Sequence, residues 1–113
     1  KDKLAEGIEE LYVLKERAAN LKVEGSRMYN PGWHLCKDLK SMLIVSEAIA
    51  RCAHQREESR GAHSRVDFPD SDKEKWGKLN SVISKDNGNM KLGTSPLAEM
   101  PEELKKIVEG GFK

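Results

Sequence analysis

The sequence is short of aromatics, of cysteines and of any surplus charge. Only 5% of its 113 residues are Phe, Trp or Tyr, so an aromatic-rich core is excluded. Its two cysteines, Cys36 and Cys52, fall in one predicted helix. Their separation corresponds to about 24 Å of helical rise, against the roughly 7 Å between Cα atoms that a disulfide allows. They do not pair within the chain, and reduced, apolar-flanked cysteines fit a cytosolic setting. With 20 basic and 19 acidic residues, the net charge of +1 supplies no field toward nucleic acid or anionic lipid. The longest apolar run, Met42 to Val45, is far below the roughly 20 residues that span a bilayer, which argues against direct membrane insertion.

Catalytic chemistry is equally thin. There is no CxxC or HxxxH spacing. Cys52 and His54 point to different faces of a helix, and His34 with Asp38 makes two ligands rather than a site. Neither cysteine, each inside a predicted apolar helix, suits a nucleophile. No glycine-rich loop follows a strand, and Gly110-Gly111 reads as a helix stop. The expected catalytic, cofactor-binding and metal residues are therefore none. The chain opens on Lys1-Asp2-Lys3 without a methionine or a secretory signal, which reads as a piece of something longer.

What is present is charge and helical periodicity. Charged residues make up 35%, against roughly 25% in an ordinary domain. A chain of this length forms one small unit with a modest core. Leu4, Ile8, Leu11, Leu14, Ala18 and Leu21 recur every three or four positions, predicting an amphipathic helix over about residues 2–22. Asn30-Pro31 is a strong helix start, with a capping side chain and a proline at the first helical position. The helix from there is expected to run to about Arg56, its second half apolar nearly all round from Met42 to Ala53. Such a helix must be covered on every side, and one partner helix cannot do it.

Leu79, Val82 and Ile83 lead to Asp86-Asn87-Gly88, with Met90 and Leu92 beyond, a hairpin signal over about 79–95. Pro101-Glu102-Glu103 opens a short helix, 101–109, with acids at its positive end. Trp33 is expected in the core and Trp76 as the anchor of the hairpin. The expected class is mainly α: an antiparallel helical hairpin or incomplete three-helix bundle, with a small C-terminal β-hairpin and a short terminal helix. The expected division is a helical domain over 1–69, including a loop at 56–69, and an appended segment over 70–113.

That loop, Arg56-Glu57-Glu58-Ser59-Arg60-Gly61-Ala62-His63-Ser64-Arg65-Val66-Asp67-Phe68-Pro69, is the densest chemistry in the chain. Arg56 is expected to meet the open carbonyls at the helix end, and Gly61 to take a left-handed conformation just past it. Glu57, Glu58, Arg60, Arg65 and Asp67 can alternate in ion pairs, since the planar arginine fork holds carboxylates and carbonyls in fixed geometry. The bland reading is a solvated charged loop. The functional reading is an arginine network tying the loop to a neighbouring surface.

The run closely resembles a signature near the C-terminus of succinate dehydrogenase and fumarate reductase flavoproteins. Tyr29-Asn30-Pro31-Gly32-Trp33, Leu39-Lys40-Ser41-Met42-Leu43 and Ser46-Glu47-Ala48 resemble the same family's preceding helix. Asp72-Lys73-Glu74-Lys75-Trp76 and the stretch from Pro96 to Leu104 resemble its tail. The resemblance implies a C-terminal helical scaffold or docking domain. In the intact subunit succinate and fumarate would interconvert at FAD and electrons would pass to an iron–sulfur subunit. The catalytic motifs would lie upstream, in FAD-binding and capping domains, so this chain carries no cofactor itself. Its structural or interface signature would be Arg56, Glu58, Ser59, Arg60, Gly61, His63, Arg65 and Asp67.

The implied location is cytoplasmic, peripheral to a membrane through partner subunits. Without its upstream neighbours the chain is expected to self-associate through Met42, Val45, Ile49 and Cys52. Related flavoproteins, L-aspartate oxidase and adenylylsulfate reductase, share similar C-terminal helices. A stand-alone helical interaction module and a small nucleic-acid binder using Arg56, Arg60 and Arg65 stay open at this level.

Overall fold

A computed structural model describes residues 2–110. Helix α1 spans Asp2–Ala19 and helix α2 spans Pro31–Gln55. A turn of 3-10 helix at Trp76–Lys78 leads into strands β1 (Leu79–Asp86) and β2 (Asn89–Pro96), and helix α3 (Glu102–Gly110) follows. The architecture is mainly α with a small C-terminal hairpin, as the sequence leads one to expect. Gly111, placed at the stop of the last helix on sequence grounds, lies outside the described residues.

Helix α1 ends three residues earlier than its periodicity suggests. The Asn20 side chain turns back to donate to the Glu16 carbonyl, while the Asn20 and Leu21 N–H groups bond to the Arg17 and Ala18 carbonyls. That tightened last turn ends the helix before Leu21 can extend the stripe. Helix α2 starts as its cap demands, the Asn30 side chain accepting from the Trp33 N–H at 3.3 Å. The same Asn30 amide donates to the Glu24 carbonyl and so fixes the connecting loop.

The two helices run antiparallel, with Lys15 and Tyr12 of α1 opposite Glu47 of α2. Because α1 stops at Ala19, it does not reach the first turn of α2. Trp33 is consequently only half-buried. The Arg27 guanidinium and Lys37 ammonium lie 5.7 and 5.3 Å from its ring centroid, and His34 meets it edge-on. The expectation of a core tryptophan fails there for want of a facing helix.

The hairpin is antiparallel, with Asp86 opposite Asn89 and Leu79 opposite Pro96. Both turn residues take positive φ, 47° at Asn87 and 87° at Gly88, the conformation that Asn-Gly is suited to. Trp76, just before β1, is buried to 4% exposure.

The apolar core is small: Ala18, Leu43 and Trp76 are its buried apolar members. The radius of gyration is 19.8 Å, against about 13 Å for a compact domain of this length. The accessible surface is 9376 Å², against about 6,200 Å² for a compact protein of the same mass. Exposed apolar side chains occur on α1, α2, β1 and α3, those of the outer face of α2 among them. Leu35, Met42, Val45 and Ile49 are each more than half exposed there. No helix of the described residues is long and apolar enough to cross a membrane.

Helix α2 also differs from its all-apolar reading on the inner face. Glu47 is 4% exposed, and Arg51 donates from one nitrogen to both Glu47 and the Met90 carbonyl of β2. A charged pair four residues apart, not further hydrocarbon, faces α1 and the hairpin.

Candidate functional site

Residues 56–76 fold into a knot of arginines and carboxylates at the C-terminal end of α2. Its centre is Glu58, which has no exposed surface. Arg60 grips both carboxylate oxygens, Nε to Oε1 at 2.9 Å and Nη2 to Oε2 at 3.0 Å. Arg56 adds a bond from Nε to Oε1 at 2.7 Å, and the Asp72 N–H donates to Oε2 at 2.8 Å. Arg60, then Arg56 and the Asp72 amide, outweigh burial and hold the Glu58 carboxyl down at about 2.

The two arginines reach further. Arg60 Nη2 donates to the Asp72 carbonyl and Arg56 Nη2 to the Trp76 carbonyl at 2.8 Å, so the loop is tied to the turn that launches β1. The Asp72 side chain accepts from the Glu74 and Lys75 amides, and its carbonyl accepts from the Gly77 amide. Gly77 packs closely here: a Cβ would meet Arg60 Nη2 at 3.3 Å and the Asp72 oxygen at 3.4 Å, so the arginine tip would have to give by a few tenths of an ångström. The Arg56 guanidinium also lies 5.6 Å from the Trp76 ring centroid.

The cation at the helix end is Arg65, not Arg56. Arg65 is 3% exposed, and its Nη1 donates to the carbonyls of Ala53, His54 and Arg56 at 3.0–3.1 Å. Arg56 is the C-cap residue, extended, with its own N–H on the Cys52 carbonyl, so its side chain points away from those oxygens. Arg65 reaches them because the chain doubles back on itself. Gly61, with φ of 58°, sits in the tight turn that pairs Arg60 with His63 through two backbone bonds. This left-handed residue closes a turn inside the loop and does not end the helix.

Ser59 fastens the return. Its hydroxyl donates to the Phe68 carbonyl at 2.7 Å and accepts from the Arg65 N–H at 2.8 Å. The other edge of the Arg65 guanidinium holds Asp67 bidentately at 2.9 and 2.5 Å, and its face lies 4.8 Å from the Phe68 centroid. Arg65 keeps the Asp67 carboxyl well below the usual carboxylate range. His63 Nε2 lies 3.3 Å from the Arg56 carbonyl. Every residue of the expected signature is thus brought into one structure. The ties that sequence reasoning missed run through the Asp72 amide and carbonyl, the Trp76 carbonyl and the Gly77 amide, backbone atoms that leave no chemical mark in the sequence.

A second buried carboxylate, Glu47, lies between α1, α2 and the hairpin. Burial favours its neutral form, but Lys15 and Arg51 together override that and lower its pKa. Lys15 closes on Oε2, Arg51 on Oε1 at 3.0 Å, and the Tyr12 hydroxyl stands 3.5 Å from Oε1. The sequence signal that could have found it is the acid followed four residues later by a base inside an apolar helix.

No group of three or more His, Cys, Asp or Glu residues among the described residues is placed to hold a metal ion. The arrangement is suited to holding backbone in place, since its carboxylates and guanidiniums face one another.

Residues 1–108 match the family model described as fumarate reductase flavoprotein C-term. The chain belongs to that family. It is 37% identical over 95 residues to the fumarate reductase flavoprotein subunit of Mycobacterium tuberculosis strain H37Rv, covering 83% of this chain and 16% of the relative. It is 40% identical over 75 residues to the succinate dehydrogenase flavoprotein subunit of Coxiella burnetii, covering 66% and 13%. L-aspartate oxidase of Acinetobacter baylyi is 52% identical over 33 residues, covering 29% and 6%. No solved structure matches the chain. As a member of the fumarate reductase flavoprotein C-terminal family, the chain spans 16% or less of the length of the curated relatives named here.

Proposed function

We propose that this chain is the C-terminal scaffold and docking domain of a flavoprotein subunit that interconverts succinate and fumarate at FAD and passes electrons to an iron–sulfur subunit. The observation that carries the reading is an imbalance. The buried charges of residues 47–72 are matched within the chain, while the apolar outer face of α2 has nothing over it among the described residues. A domain of that kind is finished in its polar interior and unfinished on one apolar side, as a piece of a larger assembly is.

The residues present do not fit a flavin site. β2 leads toward α3, but the connection has no glycine and α3 opens on Glu102 and Glu103, which repel phosphate where a dinucleotide fold would attract it. No step of the reaction is therefore assigned to these side chains. Arg56, Glu58, Ser59, Arg60, Gly61, His63, Arg65 and Asp67 serve as the structural lock that presents the docking face.

The partners on this reading are upstream FAD-binding and capping domains in cis and an iron–sulfur subunit in trans, in the cytoplasm or at the inner face of a membrane. Without them the chain self-associates. A nucleic-acid reading is disfavoured by the geometry, because Arg56 and Arg65 already hold Glu58, Asp67 and four carbonyl oxygens.

The test is a chimera in which this chain replaces the matching C-terminal stretch of the mycobacterial fumarate reductase flavoprotein subunit. We expect an assembled, flavin-loaded subunit, and a fall in assembled yield with Arg60→Ala at unchanged KM. An assembled Arg60→Ala chimera whose only defect is a raised KM would place Arg60 against substrate and overturn the scaffold role.

A further inference from the structure

The hairpin tip leaves a cleft where it meets the inner sides of α1 and α2. One lobe, about 360 Å³, is lined by Ile44, Ile83 and Lys85; the other, about 460 Å³, by Tyr12 and Arg51. Lys15, Glu47 and Met90 border both. Volumes of this order are those of small-molecule sites. The lining is unbalanced in charge, because three cations, Lys15, Arg51 and Lys85, face one carboxylate, Glu47. Glu47 has both oxygens engaged already. Arg51 makes its bonds to Glu47 and to the Met90 carbonyl from Nη1 alone. Its Nε and Nη2 have no partner among the described residues, where no unpartnered side-chain nitrogen is fully buried, so both meet water. These are the same two nitrogens with which Arg60 grips Glu58. A guanidinium fixed at one corner thus keeps an unspent carboxylate fork. Lys85 is also without an acid, since Asp86 at the tip goes to Lys91.

The other wall is hydrocarbon. Ile83, Lys85 and the register partner Met90 share one face of the hairpin. Ile44 of α2 borders the same lobe, and Ile44 and Ile83 are 55 and 39% exposed, so both keep apolar surface to bury. Ile44 and Arg51 lie about 10 Å apart along α2, on the side turned away from Met42 and Val45. A compact anion satisfies the fork and leaves this wall unused; a neutral alcohol does the reverse. We infer that the cleft binds a small amphipathic monocarboxylate. Its head takes the Nε and Nη2 edge of Arg51 beside Lys15, and its short hydrocarbon body lies along Ile44, Ile83 and Met90. Such a ligand touches α2 and both strands, so its binding fastens a hairpin tip that Arg51 holds by one backbone oxygen. The site stands apart from the flavoprotein reading.

The test is an NMR titration of the full 113-residue chain, at constant ionic strength, with hexanoate, acetate, inorganic phosphate and hexanol. Hexanoate should give saturable shifts at the Arg51 Nε–H and at the methyls of Ile44, Ile83 and Met90. It should bind at least tenfold tighter than acetate, phosphate or hexanol. Ile44→Ser, at an exposed position, should cut hexanoate affinity at least threefold and leave acetate unchanged. Arg51→Lys should cut hexanoate affinity at least tenfold, the charge being kept and the fork lost. If Arg51→Lys also releases the hairpin tip, Ile44→Ser still decides, since it removes no hydrogen bond. Acetate or phosphate binding as tightly as hexanoate would overturn the apolar wall, and hexanol doing so would overturn the carboxylate head. Shifts that fail to saturate, or that miss these residues, would overturn the site. None of these outcomes bears on the flavoprotein scaffold role, which the chimera tests separately.

Discussion

Two carboxylates are buried among the described residues, and they are held in opposite ways. Glu58 is gripped by Arg56 and Arg60, two residues away on either side, and by the Asp72 amide fourteen residues on. Glu47 is gripped by Lys15 from 32 residues upstream and by Arg51, which in turn reaches the Met90 carbonyl 39 residues downstream. The first centre closes within one loop; the second exists only when α1, α2 and the hairpin have come together. Glu58 therefore tests local folding and Glu47 tests tertiary docking. The expected consequence is that they are lost separately.

The largest expected effect comes from the wall of the first centre. Trp76→Ala removes the buried ring beside Arg56 and should cost about 3 kcal/mol, near the low end for such a truncation because one face is a guanidinium. Thermal denaturation should show a midpoint more than 10 °C lower, at about 4–8 °C per kcal/mol. A shift of only a degree or two would mean that the ring contributes little to the knot. Next comes Arg65→Met, which keeps the aliphatic stem and removes the donors at the end of α2. We expect about 2 kcal/mol and fraying of the last turn, seen as faster amide exchange at Arg56 and in the preceding turn. Arg65→Lys should fall between wild type and Arg65→Met, since a point charge cannot hold Asp67 and three carbonyls at once.

Glu47→Gln sharpens the contrast from the other side. Lys15 and Arg51 are 31 and 26% exposed and keep partial access to water, so the cost should be about 1 kcal/mol. Chemical-shift changes should spread across α1 and the hairpin tip and leave the loop at 56–68 unmoved. The smallest effect belongs to a surface pair. Glu74→Ala, which breaks an exposed pair with Lys78, should stay within about 0.5 kcal/mol of wild type.

The same difference decides what the sequence disclosed. The helices, the Asn-Gly hairpin and the capped start at Asn30 follow from short-range rules, and all appear. The residues of the Glu58 knot are adjacent in sequence, so their mutual pairing was legible. Which arginine capped the helix was not, because the double-back through Gly61 decides whether Arg56 or Arg65 reaches the carbonyls. Glu47 was half-legible: Arg51 four residues on marks the pair, but burial and the Lys15 partner are set by helix docking. Trp33 was misjudged for the same reason: its burial depends on where α1 stops, and a side-chain bond from Asn20 sets that point.

Acid should separate the centres as mutation does. Both carboxyls have folded pKa values below the ordinary range, so each stabilises the fold above its unfolded value and ceases to do so as pH falls through its folded one. For Glu58 that window runs from about 4.5 down to about 2. The most direct test is a carbon-13 NMR titration of both carboxyls, in the wild type and in Ala18→Asp, which forces a charge into the buried contact of α1 with α2. We predict that Glu58 titrates at about 2 in both chains, whereas Glu47 returns to the ordinary carboxylate range in Ala18→Asp. If Glu58 rose together with Glu47 in that variant, the knot would depend on helix docking, and the claim that it is a locally closed lock would be contradicted.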